Sequence, residues 1–185
     1  PITLPPLPAQ RKIAAILSTV DETIEKTDAI IRETQQLKKG LMQKLFTEGI
    51  GHTRFKETKI GRIPEEWEVV SLDDLLAPRK YSLVDGPFGS NLKIIHYRKS
   101  GIPIMQSGFV TTGRFAAENY EYVDEEKFEE QKRSAVRAGD ILMAKIGVNA
   151  GACAIVPENH PVSILAGNSL KITPNSSKIS TLFLM

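Results

Sequence analysis

Residues 9–47 carry an uninterrupted amphipathic pattern that predicts one long helix. Apolar or small residues recur at alternating steps of four and three, which is the heptad spacing of a helix that pairs with another helix. At about 1.5 Å per residue, such a helix would be roughly 58 Å long. The predicted helix-pairing positions are Ile13, Leu17, Val20, Ile24, Thr27, Ile31, Thr34, Leu41 and Leu45.

The apolar stripe of this helix has no cover within the helix itself, so the sequence predicts a partner helix packed along it. Thr27 and Thr34 are polar members of the stripe, and polar residues there weaken a coiled coil while restricting its register and partner. The alternative is an ordinary long helix lying on a globular core, although globular helices seldom exceed about 25 residues. Pro8 suits the first helical turn and Gly49 suits the stop.

The chain has 185 residues, which suffices for one domain of ordinary size in addition to the helix. It begins at Pro1 and ends at Met185 directly after an apolar run, so we expect a portion of a longer protein. It carries neither a signal peptide nor about 18 consecutive apolar residues, and the default expectation is a cytoplasmic protein without membrane contact. A net charge of +2 is too small to indicate nucleic-acid binding by itself.

Residue usage argues against a metal site, a disulfide and catalysis. The single Cys153 excludes an internal disulfide, and three scattered histidines add no zinc-ligand spacing. The chain lacks an Asn/Asp-Pro-Pro-Tyr/Phe methyltransferase motif, a Gly-Lys-Ser/Thr loop, a nuclease-like Pro-Asp followed by Glu-x-Lys, and a serine or cysteine elbow. The sequence therefore predicts no catalytic residue, no metal and no cofactor in this chain.

The pattern changes after the helix. Residues 48–62 are polar and glycine-rich without a clear period, which predicts a linker. From residue 63 onward short apolar runs alternate with glycine and proline, and Ser71 and Asp124 suit helix caps. Residues 63–185 are therefore predicted to form an α+β domain with a curved, barrel-like sheet. Strands are predicted over 68–71, 102–106, 120–123, 141–146, 152–156 and 170–173, and short helices over 73–76 and 125–133.

The segment 85–93 (DGPFGSNLK) is the most informative motif of this domain. Two glycines around Pro87 and Phe88 give a bend that would present polar side chains and backbone N–H groups, which suit phosphate and base contacts. A turn anchored by a buried Phe88, with no ligand, is the alternative. Candidate DNA-contacting residues beside this and the other glycine-rich loops are Arg79, Lys80, Tyr81, Ser90, Asn91, Lys93, Gln106, Ser107, Lys145, Asn149, Asn168 and Ser169.

Four motifs of the chain resemble the specificity subunits of Type I restriction–modification systems. Their order and spacing extend the resemblance over nearly the whole chain. The motifs are the run 4–14 (LPPLPAQRKIA) before the long helix, the run 60–67 (IGRIPEEW) after it, the run 86–90 (GPFGS), and the run 139–142 (GDIL) followed by Gly147 and Gly151.

This resemblance implies a non-catalytic, DNA-binding subunit in which two target-recognition domains are separated by two long antiparallel helices. Each domain would read one half of a split sequence in double-stranded DNA. Methyltransferase and endonuclease subunits would be the partners, and they would bind S-adenosylmethionine and ATP. On this pattern residues 1–8 would end a first recognition domain, 9–47 would be the spacer helix, 48–62 the linker, and 63–185 most of a second recognition domain that is truncated at its C-terminus.

The second spacer helix of that pattern is absent from this chain, which leads to the hypothesis that a second copy supplies it. The result would be an antiparallel homodimer through the pairing positions. A rod of ~58 Å would separate two readers by one to two turns of duplex, since one turn spans about 34–36 Å. The competing function is a non-catalytic coiled-coil adaptor whose globular domain binds protein. Only DNA binding should weaken steeply as salt rises.

Overall fold

The computed structural model describes residues 1–185. The chain folds into two compact units, Pro1–Val69 and Val70–Met185. The boundary between them lies after the predicted domain start at residue 63, because the segment around that residue pairs with the predicted linker rather than with the later strands.

The first unit is dominated by helix α1, Leu7–Glu48, which has 42 residues and a length of about 63 Å. The helix begins after Pro6, holds Pro8 in its first turn, and ends where Gly49 adopts a φ of 67°. These ends lie within two residues of the predicted ones. No residue of α1 is buried within this chain, so its apolar stripe lies open.

The rest of the first unit contains an antiparallel hairpin of β1, Phe55–Thr58, and β2, Gly61–Pro64. The Thr58 hydroxyl donates to the carbonyl of Gly61 at 2.6 Å and accepts from the amide of Ile60 at 3.3 Å, which fixes the turn. The sequence pattern predicts a linker over most of this segment. Two four-residue strands carry too little alternation to be recognised, and it is their mutual pairing that defines them.

The second unit contains two four-stranded sheets. The first has the order β3-β10-β7-β8, and every neighbouring pair is antiparallel. The second has the order β5-β4-β9-β6, in which β4 and β9 run parallel and the outer strands run antiparallel. The strands are β3 Leu83–Asp85, β4 Ile102–Met105, β5 Tyr122–Val123, β6 Ala135–Val136, β7 Ile141–Ala144, β8 Cys153–Ile155, β9 Ser163–Leu165 and β10 Ser169–Ile172.

Short helices complete this unit. Two are α-helical, namely α2, Glu125–Glu130, and α3, Thr181–Leu184. The remaining helical segments are single 3-10 turns at Leu72–Leu75, Gly89–Asn91, Ile94–His96, Ser107–Val110 and Lys132–Ser134. The prediction of a mixed helix and sheet domain is therefore confirmed.

The barrel-like form of the sheet is not found. Closing a barrel requires the two edge strands of a sheet to pair, whereas β3 and β8 remain edges of the first sheet, and β5 and β6 of the second. The predicted strand over 68–71 is also absent, because no partner strand pairs with those residues. Strands β3, β6 and β9 were not predicted.

The core of the second unit forms on both faces of the parallel pair. Ile104 and Ile164 contribute to one buried cluster, while their neighbours Met105 and Leu165 contribute to the other. Successive side chains of a strand point to opposite faces, so these two strands are covered on both sides, as parallel strands usually are. All four side chains are fully buried.

Two predicted helix caps are confirmed. Ser71 accepts from the amide of Asp73, and Asp74 accepts from the amide of Ser71, which together make a capping box. Asp124 accepts from the amide of Lys127 at 2.9 Å at the start of α2. This backbone hydrogen bond, and the Arg98 guanidinium 2.8 Å away, hold the pKa of the Asp124 carboxyl below its usual value.

Candidate nucleic-acid interface

The C-terminal ends of four strands meet at one edge of the second unit. Strands β4 and β9 are parallel neighbours, so the polypeptide leaves both strands at the same end of the sheet. Strands β3 and β7 flank β10 on either side and run in the same direction as each other. The loops that follow these strands form what we call the loop surface, defined as residues 86–91, 106–107, 145–151 and 166–169.

Glycine allows two of these loops to touch through their backbones. A Cβ atom on Gly86 would lie 1.8 Å from the carbonyl oxygen of Ala166, and one on Gly167 would lie 2.9 Å from the carbonyl oxygen of Pro87. The amide of Gly86 also donates to the carbonyl of Ser169 at 2.9 Å. The GPFGS motif is therefore fixed against the turn between β9 and β10, and this contact explains why its first glycine cannot carry a side chain.

Asn168 links three loops at the centre of the loop surface. Its side-chain oxygen lies 3.5 Å from the amide of Ser107 and accepts from the Ser169 hydroxyl at 3.2 Å. Its backbone carbonyl accepts from the amide of Lys145 at 2.9 Å. Ser107, Lys145, Asn168 and Ser169, which the sequence predicted separately, are thus brought together, and Ser169 is buried.

Lys145 is paired with a carboxylate and an aromatic ring of its own domain. Its ammonium group lies 3.1 Å from the Asp85 carboxylate and 3.6 Å from the centroid of the Phe88 ring. A cation over an aromatic face is attracted by the ring quadrupole. Phe88 is 48% exposed, so it caps the lysine rather than anchoring the turn in the core. The contacts of Asp85 and Phe88 with Lys145 were not predictable from the sequence pattern.

Five further candidates lie on or beside the loop surface, and four of them have exposed side chains. Ser90 and Asn91 lie in the 3-10 turn Gly89–Asn91 and are exposed, as is Lys93 just beyond it. Gln106 is half-buried and accepts through its carbonyl from the amide of Phe109 at 3.1 Å. Asn149 is exposed in the loop between β7 and β8.

Arg79, Lys80 and Tyr81 lie elsewhere. They precede β3, whereas the GPFGS loop follows it, and the three residues of β3 span about 10 Å. Tyr81 has a φ of 64°, so the chain turns sharply just before the strand. These three residues therefore lie at the opposite ends of the strands from the loop surface. The two groups are separated in space although both are close to β3 in the sequence.

Arg79 takes part in a buried polar network at those opposite strand ends. Asp140 is 1% exposed, and its carboxylate accepts from the Thr173 hydroxyl at 2.5 Å and from the amide of Arg137 at 2.8 Å. The Lys171 ammonium lies 3.5 Å from the same carboxylate and the Arg79 guanidinium 3.7 Å from it. Burial lowers the pKa of Lys171, and the nearby carboxylate of Asp140 partly opposes that effect.

Two of the histidines and the cysteine have neighbours that suit a structural role. The His160 ring lies 2.7 Å from the Tyr120 hydroxyl and 3.1 Å from the Ser163 hydroxyl, and His96 accepts from the amide of Lys93 at 3.0 Å. Burial raises the pKa of the Cys153 thiol. No group of three or more His, Cys, Asp or Glu side chains is arranged to hold a metal ion. None of the helices is both long and apolar enough to cross a membrane.

The chain is similar in sequence to two proteins of Methanocaldococcus jannaschii, while no family model matches it. It is 34% identical to the Type I restriction enzyme MjaVIII specificity subunit over 144 residues, which are 77% of this chain and 32% of that protein. It is 50% identical to the putative type I restriction enzyme MjaX specificity subunit over 72 residues, or 38% of this chain and 17% of that protein. The chain thus spans about a third of the length of the first relative.

Two solved structures share the fold. One comes from work on complex assembly and conformational transition of the type I R-M system, with a TM-score of 0.52 and 17% identity, covering 98% of this chain and 40% of that one. The other is the HsdS subunit from Thermoanaerobacter tengcongensis, with a TM-score of 0.50 and 18% identity over the same shares. The sequence relatives and the shared fold agree with the motif resemblance, and the chain belongs to the family of Type I restriction–modification specificity subunits.

Proposed function

We propose that this chain forms part of the subunit that reads the DNA sequence for a Type I restriction–modification complex. The observation that carries the proposal is the convergence of four strand ends into one loop surface with exposed amide and hydroxyl groups. Bases are read in the major groove by such groups, while phosphate contacts set the register. The relatives, which are named as specificity subunits, support the same assignment.

Within this proposal the residues of the loop surface divide into two roles. Asn91, Asn149 and Ser90 are exposed and would contact bases, and Lys93 would contact phosphate. Lys145, Asn168, Ser107, Ser169 and Gln106 would hold the loops in position, because most of their polar atoms already have protein partners. Arg79, Lys80 and Tyr81, at the opposite ends of the strands, would lie away from the bases that are read.

Helix α1 would act as the spacer and as the docking site for methyltransferase subunits. Its pairing positions are about half exposed, as at Leu17, Ile24 and Leu41. The polar members of the stripe fit a coiled coil, because the Thr27 hydroxyl donates to the carbonyl of Thr23 at 2.8 Å and the Thr34 hydroxyl to that of Ile30 at 2.7 Å. Each threonine can then present its methyl group to a partner.

The occupant of the stripe would be a second copy of this helix in antiparallel orientation, giving a homodimer with two readers. Catalysis would belong to the partners: methyltransferase subunits with S-adenosylmethionine, and endonuclease subunits with ATP. Residues Val70–Met185 would be the target-recognition domain, and residues 1–6 would end a preceding one. The complex would act in the cytoplasm.

The test is selection of duplexes from a random pool by this chain assembled with its methyltransferase subunits. We expect one sequence to be enriched and its affinity to fall steeply with salt, because phosphate contacts release counterions. Replacing Asn91 by alanine should weaken binding of the enriched duplex about tenfold, while Asn159→Ala, in the loop before β9, should not. Enrichment of no sequence by the intact assembly would contradict the proposal and favour an adaptor that binds protein.

A further inference from the structure

The loop between β7 and β8 exposes two apolar side chains in the middle of the polar loop surface. Val148 is fully exposed and Ile146 is 57% exposed. Turn tips are normally occupied by glycine, proline, asparagine, aspartate or serine. A β-branched aliphatic residue at this place contributes nothing to the core of its own domain, so its role lies outside the fold.

The loop holds Val148 in a fixed position. The amide of Ala150 donates to the carbonyl of Gly147 at 3.0 Å, so Val148 and Asn149 are the two central residues of a four-residue turn. Below the turn, the amide of Gly151 donates to the carbonyl of Ala144 at 2.8 Å, and the amide of Ala144 donates to that of Ala152 at 2.8 Å. The tip is therefore ordered before any ligand arrives, which lowers the entropic cost of binding.

The chemistry of the tip fits an A·T base pair seen from the major groove. The thymine C5-methyl is the apolar group of that groove, and an asparagine amide can bond both N6 and N7 of adenine. Val148 supplies an aliphatic surface and Asn149 supplies the amide, side by side on one turn. An apolar protein partner would need a wider apolar patch, whereas the exposed large apolar residues of this loop are Ile146 and Val148, with Gly147 between them and the exposed Asn149 next to Val148.

We propose that the Val148–Asn149 turn determines specificity for an A·T base pair in the recognised sequence, with Val148 against the thymine methyl group and Asn149 beside the adenine. This inference rests on the proposed function and deepens it.

The experiment replaces thymine by deoxyuridine, one position at a time, in the duplex enriched by the wild-type assembly. The change removes one methyl group and leaves every hydrogen-bonding atom of the base in place. At one thymine position we expect the affinity of the wild-type assembly for the duplex to fall about fourfold, because the burial of one methyl group is lost. The Val148→Ala assembly should bind the two duplexes equally at that position.

The Val162→Ala assembly is the matched control, because Val162 is 39% exposed and precedes β9 at the strand end opposite the loop surface. It should keep the wild-type response to deoxyuridine. Three outcomes would overturn the inference while sequence-specific binding persisted. They are an enriched sequence without thymine, an equal affinity for the thymine and deoxyuridine duplexes at every position, and an undiminished response to deoxyuridine in the Val148→Ala assembly. Enrichment of no sequence would overturn the proposed function as well, so the two failures are distinguishable.

Discussion

Apolar side chains are largely exposed on helix α1 and largely buried in the core of the second unit. The helix buries none of its residues within this chain, and its stripe of Ile and Leu is about half exposed. In the second unit, the side chains of Ile104, Met105, Ile164 and Leu165 are fully buried on the two faces of one sheet. One region has a core of its own, and the other has an apolar face that this chain leaves uncovered.

This difference shows that regular local structure and a completed tertiary structure are separate properties. The helix satisfies its backbone internally, so its shape is independent of what covers the stripe. The strands of the second unit have two to four residues each, and each exists only because another strand pairs with it. Perturbations should therefore act on association in the first region and on folding in the second.

The largest effect should come from a charge on the helix stripe. Ile24→Asp would place a carboxylate at a pairing position in both copies of the proposed homodimer. Losing two buried isoleucine side chains costs about 4 kcal/mol, or roughly a thousandfold in the dimer dissociation constant. Sedimentation equilibrium would measure the change.

The control for this variant is Gln36→Asp, which adds the same charge on the opposite side of the helix. Its sedimentation should match that of the wild-type chain. An unchanged association of Ile24→Asp would mean that the stripe is not the dimer contact.

The second effect should be confined to the second unit. Asp140→Asn removes the charge that faces the buried Lys171 ammonium, and breaking a buried ion pair from one side costs about 3 kcal/mol. Hydrogen exchange followed by mass spectrometry should show faster exchange in β7 and β10, with unchanged protection in α1. The exposed Glu158→Gln provides a matched loss of charge, and equal exchange in the two variants would argue against the network.

A smaller folding effect should follow from Gly86→Ala. The new methyl group would overlap the carbonyl of Ala166, and relieving such overpacking costs about 2 kcal/mol. Urea denaturation would measure the loss of stability. Gly108→Ala is the control, because no atom lies within 4 Å of the added Cβ and Gly108 has no positive φ; similar losses in both would refute the close backbone contact.

The smallest effect concerns pH and the cap of α2. Because the folded-state pKa of Asp124 is lowered, its contribution to stability is full above the ordinary carboxyl pKa and is lost as the pH falls through the lowered value. The protection factors of the α2 amides, which are corrected for the intrinsic pH dependence of exchange, should therefore fall in acid. Asp124→Asn should weaken that fall, whereas Glu125→Gln should retain it.

The sequence alone located helix α1 within two residues, because its period repeats over many turns and both ends carry the residues that start and stop helices. The Ser71 and Asp124 caps were predictable as well, because they depend on neighbours three residues away. Strands β6 and β9, with two and three residues each, and the hairpin within the predicted linker were not. Such short strands carry no resolvable period, and their partners are distant in the sequence.

The candidate site divides in the same way. Glycine and polar residues in the motifs placed Asn91, Asn149 and Asn168 in loops, as the structure has them, because loop formation is a local property. Lys145 was predicted inside a strand over 141–146, whereas β7 ends at Ala144 and Lys145 begins the loop that follows. The convergence of these residues was decided by the parallel pairing of β4 with β9 and by the close contact at Gly86, and the same topology moved Arg79 to the opposite strand ends. Local chemistry thus determined what each segment can do, while long-range strand pairing, which no short stretch of sequence encodes, decided which segments act together.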